Sequence, residues 1–137
     1  MHLNPYLTFN GSCEEAFKFY AKTLNGTIKA MIPFEGSPME KRIPDEWRKK
    51  IMHASLDLSG QVLMGSDAGG EHFRKPQGFS VCLSVDKPEE AERIFSALAE
   101  GGEVGMALQE TFWAARFGMA TDRFGIPWMI NCEKAAQ

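Results

Sequence analysis

A chain of 137 residues, 44% hydrophobic and 24% charged, has the composition of one globular domain with enough apolar side chains for a buried core. Its formal net charge of −3 lacks the cationic excess that nucleic acid or an anionic membrane surface attracts, so neither is expected as a partner. No apolar run approaches the roughly 18 residues of a membrane helix, and no basic-then-apolar leader opens the chain.

In chain order, a short strand in "PYLTFNG" precedes a helix that runs to Leu24. Ser12 and Glu15 have capping-box spacing, Ala16, Phe17, Tyr20 and Leu24 recur at helical spacing, and Asn25-Gly26 supplies a left-handed stop. The stretch "GTIKAMIPF" reads as a strand, and the segment from Phe34 to Lys50 as a loop with a helical turn at Pro44–Lys49. Two strands follow, "MHASLDLSG" and "QVLMGSDA", joined by a Ser-Gly turn. The glycine-rich stretch "SDAGGEHFRKPQG" then reads as a linker.

The remainder repeats the order. Offset by 75 residues, Glu14-Glu15-Ala16 falls on Glu89-Glu90-Ala91, Phe19-Tyr20 on Ile94-Phe95, and Gly26 on Gly101. Asp86 with Glu89 is spaced as a second capping pair, and Pro88 suits a first helical turn, where no amide donor is needed. Ala91, Ile94, Phe95 and Leu98 form the apolar stripe. The strands "GEVGMALQ", "FWAARFGMATD" and "IPWMINCE" follow, the last two separated by a Phe-Gly turn. The expected fold is α+β, two βαβββ units of about 1–68 and 78–137 joined by the linker, with curved sheets.

Cysteine and histidine are few, three of each. The three cysteines, Cys13, Cys82 and Cys132, are too scattered for a zinc motif or a disulfide framework, and suit a cytoplasmic protein. His53 alternates with Ser55 and Asp57 on one strand face and is the candidate general base; facing outward or into the core it would do no chemistry. His2 and His72 read as surface residues, Ser66-Asp67 as a turn or cap, and Arg48-Lys49-Lys50 as a solvated face. Met31, Met52, Met64, Met119 and Met129 fall in predicted strands, as does Trp113, giving either a deformable ligand wall or core filling.

The stretches "PYLTFNGSCEEAFKFYAKTLNG", "MHASLDL", "LMGSDA" and "RFGMATDRFGIPWMIN" resemble the vicinal oxygen chelate superfamily of glyoxalase I, extradiol dioxygenases and bleomycin-resistance proteins. Within it, the similarity is greatest to the PhnB-like branch, often labelled demethylubiquinone methyltransferase-like. The resemblance implies a cup formed by the two units, with four metal-ligand positions on first and last strands. Those positions fall near Pro5, at Ser80, near Met64 and at Met129, none a usual ligand for a hard divalent ion.

The expectation is therefore a cup without metal or other cofactor, lined by Tyr6, His53, Met64, Trp113, Phe117, Trp128 and Met129, that binds a small, partly aromatic molecule. A homodimer is expected, as is common in the superfamily. Alternatives are a metal-dependent glyoxalase- or dioxygenase-type enzyme with ligands elsewhere, and a structural or interaction module. No glycine-rich nucleotide loop follows a strand to hold S-adenosylmethionine.

Overall fold

A computed structural model describes residues 1–135 of the chain. It contains two compact units, Met1–Arg74 and Lys75–Gln137. In the first, β1 (Tyr6–Phe9), α1 (Cys13–Leu24), β2 (Thr27–Pro33), β3 (Ile51–Leu58) and β4 (Gln61–Asp67) form a four-stranded sheet ordered β1-β4-β3-β2 with one helix. In the second, β5 (Val81–Val85), α2 (Pro88–Ala99), β6 (Glu103–Gln109), β7 (Ala114–Thr121) and β8 (Pro127–Glu133) are ordered β5-β8-β7-β6. Both sheets are mixed: the first strand pairs parallel with the last, and the other pairings are antiparallel. The fold is α+β, two βαβββ units, as the repeat predicts.

The helix of each unit covers one face of its own sheet. Leu7, Phe9, Ala54, Leu56 and Leu63 are buried on that face in the first unit, against Ala16, Phe17 and Tyr20. Phe17 stands edge-on to Phe9, with ring centroids 6.1 Å apart. In the second unit Ala120, Trp128, Ile130 and Cys132 are buried with Ala91, Ile94, Phe95 and Leu98. Each leucine, isoleucine or phenylalanine among them contributes about 1.5–3 kcal/mol when fully buried.

Close approach depends on one glycine per unit. A Cβ on Gly65 would lie 2.7 Å from Phe17 Cε1, and one on Gly118 2.8 Å from Phe95 Cε2. The absent side chains leave the space that the helix aromatics fill.

The helix stops behave as the sequence predicts. Asn25 is left-handed at φ 56° after α1, and Gly101 has φ 76° after α2. The starts do not. Neither Ser12 nor Lys87, which takes the cap position of α2 in place of Asp86, makes a side-chain cap bond. Around the start of α1 the acceptor comes from the end of β4 instead: Asp67 Oδ1 accepts from the amides of Gly11 (2.9 Å) and Cys13 (3.0 Å). Its Oδ2 accepts from Ile51 (2.9 Å), so one buried carboxylate serves three backbone amides on two segments, the β1–α1 turn and the start of β3. Those three donors offset the cost of burying the polar group.

The loop between β2 and β3 holds two short 3-10 turns, Glu40–Arg42 and Asp45–Trp47. Arg48 braces it, bonded to Glu40 and 3.7 Å from Glu35. The Gly36 amide and then Arg48 hold the Glu40 carboxyl below its ordinary value. Among the described residues no helix is long and apolar enough to cross a membrane.

Candidate functional site

On each sheet, the face away from the helix has no helix over it. In the first unit Tyr6 lies beside Met64, Met64 beside Ser55, and Ser55 beside Ala30, one row across all four strands. His53 is two residues before Ser55 on β3 and therefore shares its face. The Tyr6 hydroxyl is 3.2 Å from His53 Nδ1, and the rings stack with centroids 5.9 Å apart. Tyr6 reaches across β4 to do so and remains 48% exposed. With a neutral ring protonated at Nε2, Tyr6 donates to Nδ1; with a protonated ring, Nδ1–H donates to the Tyr6 oxygen. In the first state Nε2–H is left as a donor, in a setting with an apolar floor at Met64.

In the second unit the comparable face presents Phe117 beside Asn131 and Met119 beside Met129. Trp113 is not in a strand. It occupies the bend between β6 and β7, 50% exposed, with its ring 5.5 Å from Phe117 and 4.8 Å from Phe112. Thr111 Oγ1 accepts from the Trp113 and Ala114 amides and fixes that bend.

Trp128 belongs elsewhere. It is 1% exposed on the helix side of β8, and its indole N–H donates to Asp122 Oδ2 at 2.8 Å. Neighbouring strand residues face opposite sides, so Trp128 and Met129 do not share a face. Trp128 is core, which corrects its placement among ligand-lining residues.

A cleft of about 510 Å³ in the first unit lies between the β2–β3 loop and the segment after β4, lined by Met39, Ile43, Pro44, Trp47 and Gly69. A Cβ on Gly69 would come within 2.3 Å of the Trp47 ring, so the indole rests on bare backbone there. Sequence periodicity gave no sign of this cleft; the signal was the apolar residues within an otherwise polar loop.

Comparison with known proteins follows this geometry. The family model described as 3-demethylubiquinone-9 3-methyltransferase matches residues 1–131. The chain belongs to that family, the PhnB-like one. Protein YjdN of Escherichia coli is 39% identical, over 98% of this chain and 97% of its own. The crystal structure of PA1353 from Pseudomonas aeruginosa is 50% identical with a TM-score of 0.87, covering 98% of this chain and 99% of that one. A PhnB protein from Bacillus cereus, 24% identical with a TM-score of 0.81 over 96% of this chain and 99% of its own, shares the fold. So does a glyoxylase/bleomycin resistance protein/dioxygenase domain from Frankia sp., at 17% identity and a TM-score of 0.59 over 97% of this chain and 95% of that one.

The register of the PhnB-like sheets refines the four strand positions that the superfamily resemblance implies. Pro5 and Ser80 lie just before β1 and β5; the residue opposite Met64 is Tyr6, and the residue opposite Met129 is Cys82. A phenol, two thioethers and a thiol do not suit a hard divalent ion, which takes carboxylate oxygen or imidazole nitrogen. Among the described residues no group of three or more His, Cys, Asp or Glu side chains could hold a metal ion.

Proposed function

We propose that this PhnB-like chain is a small-molecule binding protein that takes its ligand on the helix-free sheet faces, without a hard divalent metal. The carrying observation is the Tyr6–His53 pair, two polar aromatic rings in hydrogen-bond contact beside Met64 on the sheet face opposite α1. Such a face offers stacking surface, one proton donor or acceptor, and a deformable apolar floor, the ingredients of a site for a flat, partly polar molecule. Trp113 and Phe117 supply a second aromatic platform in the other unit.

The family description names a methyl transfer. A transferase using S-adenosylmethionine needs a nucleotide cradle, and the turns after β1 and β5 read Asn10-Gly11-Ser12 and Asp86-Lys87 rather than a glycine-rich loop. Binding therefore fits the residues better than methyl transfer. A cytoplasmic setting accords with three unpaired cysteines.

The test is a screen of aromatic carboxylates, phenols and quinones by ligand-observed NMR, followed by Tyr6→Phe and His53→Ala. Saturable binding weakened about tenfold or more by either variant supports the reading. The absence of any saturable ligand, or binding indifferent to both variants, overturns it.

A further inference from the structure

The register of the second sheet aligns four sulfur side chains. Cys82 on β5 is opposite Met129 on β8, Met129 is opposite Met119 on β7, and Met119 is opposite Met106 on β6. One thiol and three thioethers thus form a single row across every strand, in the sheet order β5-β8-β7-β6. Directly opposed residues share a face, and here it is the helix-free one, since Trp128 and Ile130 on either side of Met129 are buried on the helix side. Cys82 is exposed, whereas Cys13 and Cys132 are buried.

We infer that this row is a binding site for a soft monovalent cation, Cu(I) or its analogue Ag(I). The ligands are the Cys82 thiolate and the thioethers of Met129 and Met119, with Met106 at the outer edge. Thiolate and thioether sulfur select Cu(I) over hard ions. Opposed Cβ atoms on one face stand about 4.5–5.5 Å apart; Cys82 and Met119 flank Met129 from two strands apart, and the three rotatable bonds of Met119 let its thioether lean over Met129 toward the thiolate. The flanking rows discriminate further. Pro127 and Thr121 lie to one side, with the Glu103 carboxylate beyond them on β6, and Ser84, Asn131 and Phe117 to the other, so on β5, β7 and β8 the residues nearest the sulfurs are uncharged and without imidazole.

Binding exchanges the thiol proton for the metal: the Cys82 S–H bond breaks, the proton goes to solvent, and a sulfur–copper bond forms with no change in oxidation state. Because a proton leaves as the metal binds, binding is weakened by acid. The site uses the second unit's face and does not rest on the Tyr6–His53 reading, whose variants leave these sulfurs in place.

The experiment is an anaerobic titration of the whole chain with Cu(I), supplied as its bicinchoninate complex under ascorbate. It is paired with Ag(I) titration of protein labelled at the methionine methyl carbons. One Cu(I) per chain is expected, with the methyl signals of Met119 and Met129 shifting while those of Met31 and Met52 hold still. Cys82→Ser should weaken binding about 100-fold, and Met119→Leu with Met129→Leu about tenfold or more; circular dichroism checks that each variant keeps its fold. Failure to compete with bicinchoninate overturns the inference. So do unmoved Met119 and Met129 signals, or affinity unchanged by Cys82→Ser.

Discussion

The buried Asp122 carboxylate ties the Trp128 indole to the turn that precedes its own strand. Oδ2 accepts from Trp128 Nε1 at 2.8 Å, while Oδ1 accepts from the amides of Phe124 (2.9 Å) and Ile126 (3.0 Å). The turn and the largest core side chain of the second unit are therefore one hydrogen-bonded object. Replacing Asp122 with Ala leaves three donors without their acceptor, in a turn where two are nearly or fully enclosed. A loss on the order of 3 kcal/mol is expected in urea denaturation, from unsatisfied groups at about 1–3 kcal/mol each. Trp128→Phe removes only one of these bonds and should cost less. An Asp122→Ala midpoint indistinguishable from the parent would refute this account.

The two tryptophans of the second unit should report differently on ligand. Trp113 is half-exposed beside Phe117, while Trp128 is enclosed. A ligand that stacks on the bend should quench Trp113 emission, so Trp113→Phe should abolish a saturable fluorescence response that Trp128→Phe retains. The opposite pattern would place the ligand on the helix side.

Alkaline conditions should find a weak point at Cys13. Burial, and then the charges of Asp67 and Glu14, push its thiol from an ordinary 9.0 up to about 12. Between those values the unfolded chain loses a proton that the native chain keeps, so stability is intact below pH 9 and declines as pH climbs toward 12. Cys13→Ala should flatten that decline relative to the parent, while exposed Cys82→Ala should not. Denaturation midpoints measured from pH 7 to pH 11 check it.

A homodimer is expected in solution. Strand β6 ends its sheet with nearly all its residues exposed, Val104 at 54%, and a strand at a sheet edge invites pairing. Light scattering should give about 31 kDa, twice 15.3 kDa, and Val104→Arg should shift the mass toward the monomer. A monomer across micromolar concentrations would refute the dimer.

Much of this fold is legible from local pattern. The helices follow from apolar spacing, and the β3–β4 hairpin from Ser59-Gly60, both of which adopt positive φ as a tight primed turn requires. Placement on one face or the other is harder. Trp128 and Met129 are adjacent, and a period of two allows only one of them on the ligand side; burial beneath α2 decides which. The sulfur row depends on three separate strand pairings and has no signature along the chain. The start of α1 is hidden from local pattern: Ser12 has the right spacing for a cap, yet Asp67, far along the sequence, supplies the acceptor.

That distant acceptor has a kinetic side. The amides of Gly11, Cys13 and Ile51 are held by one carboxylate, separated from them by 56, 54 and 16 residues. The Ile51 contact needs only the β3–β4 hairpin, but the Gly11 and Cys13 contacts cannot close until β4 has been laid against β1, so those two belong to the later steps of assembling the first unit. Once made, all three should open only together. Native-state hydrogen exchange should find the three amides protected as one cooperative group, exchanging with a shared opening free energy that Asp67→Asn lowers for all of them at once.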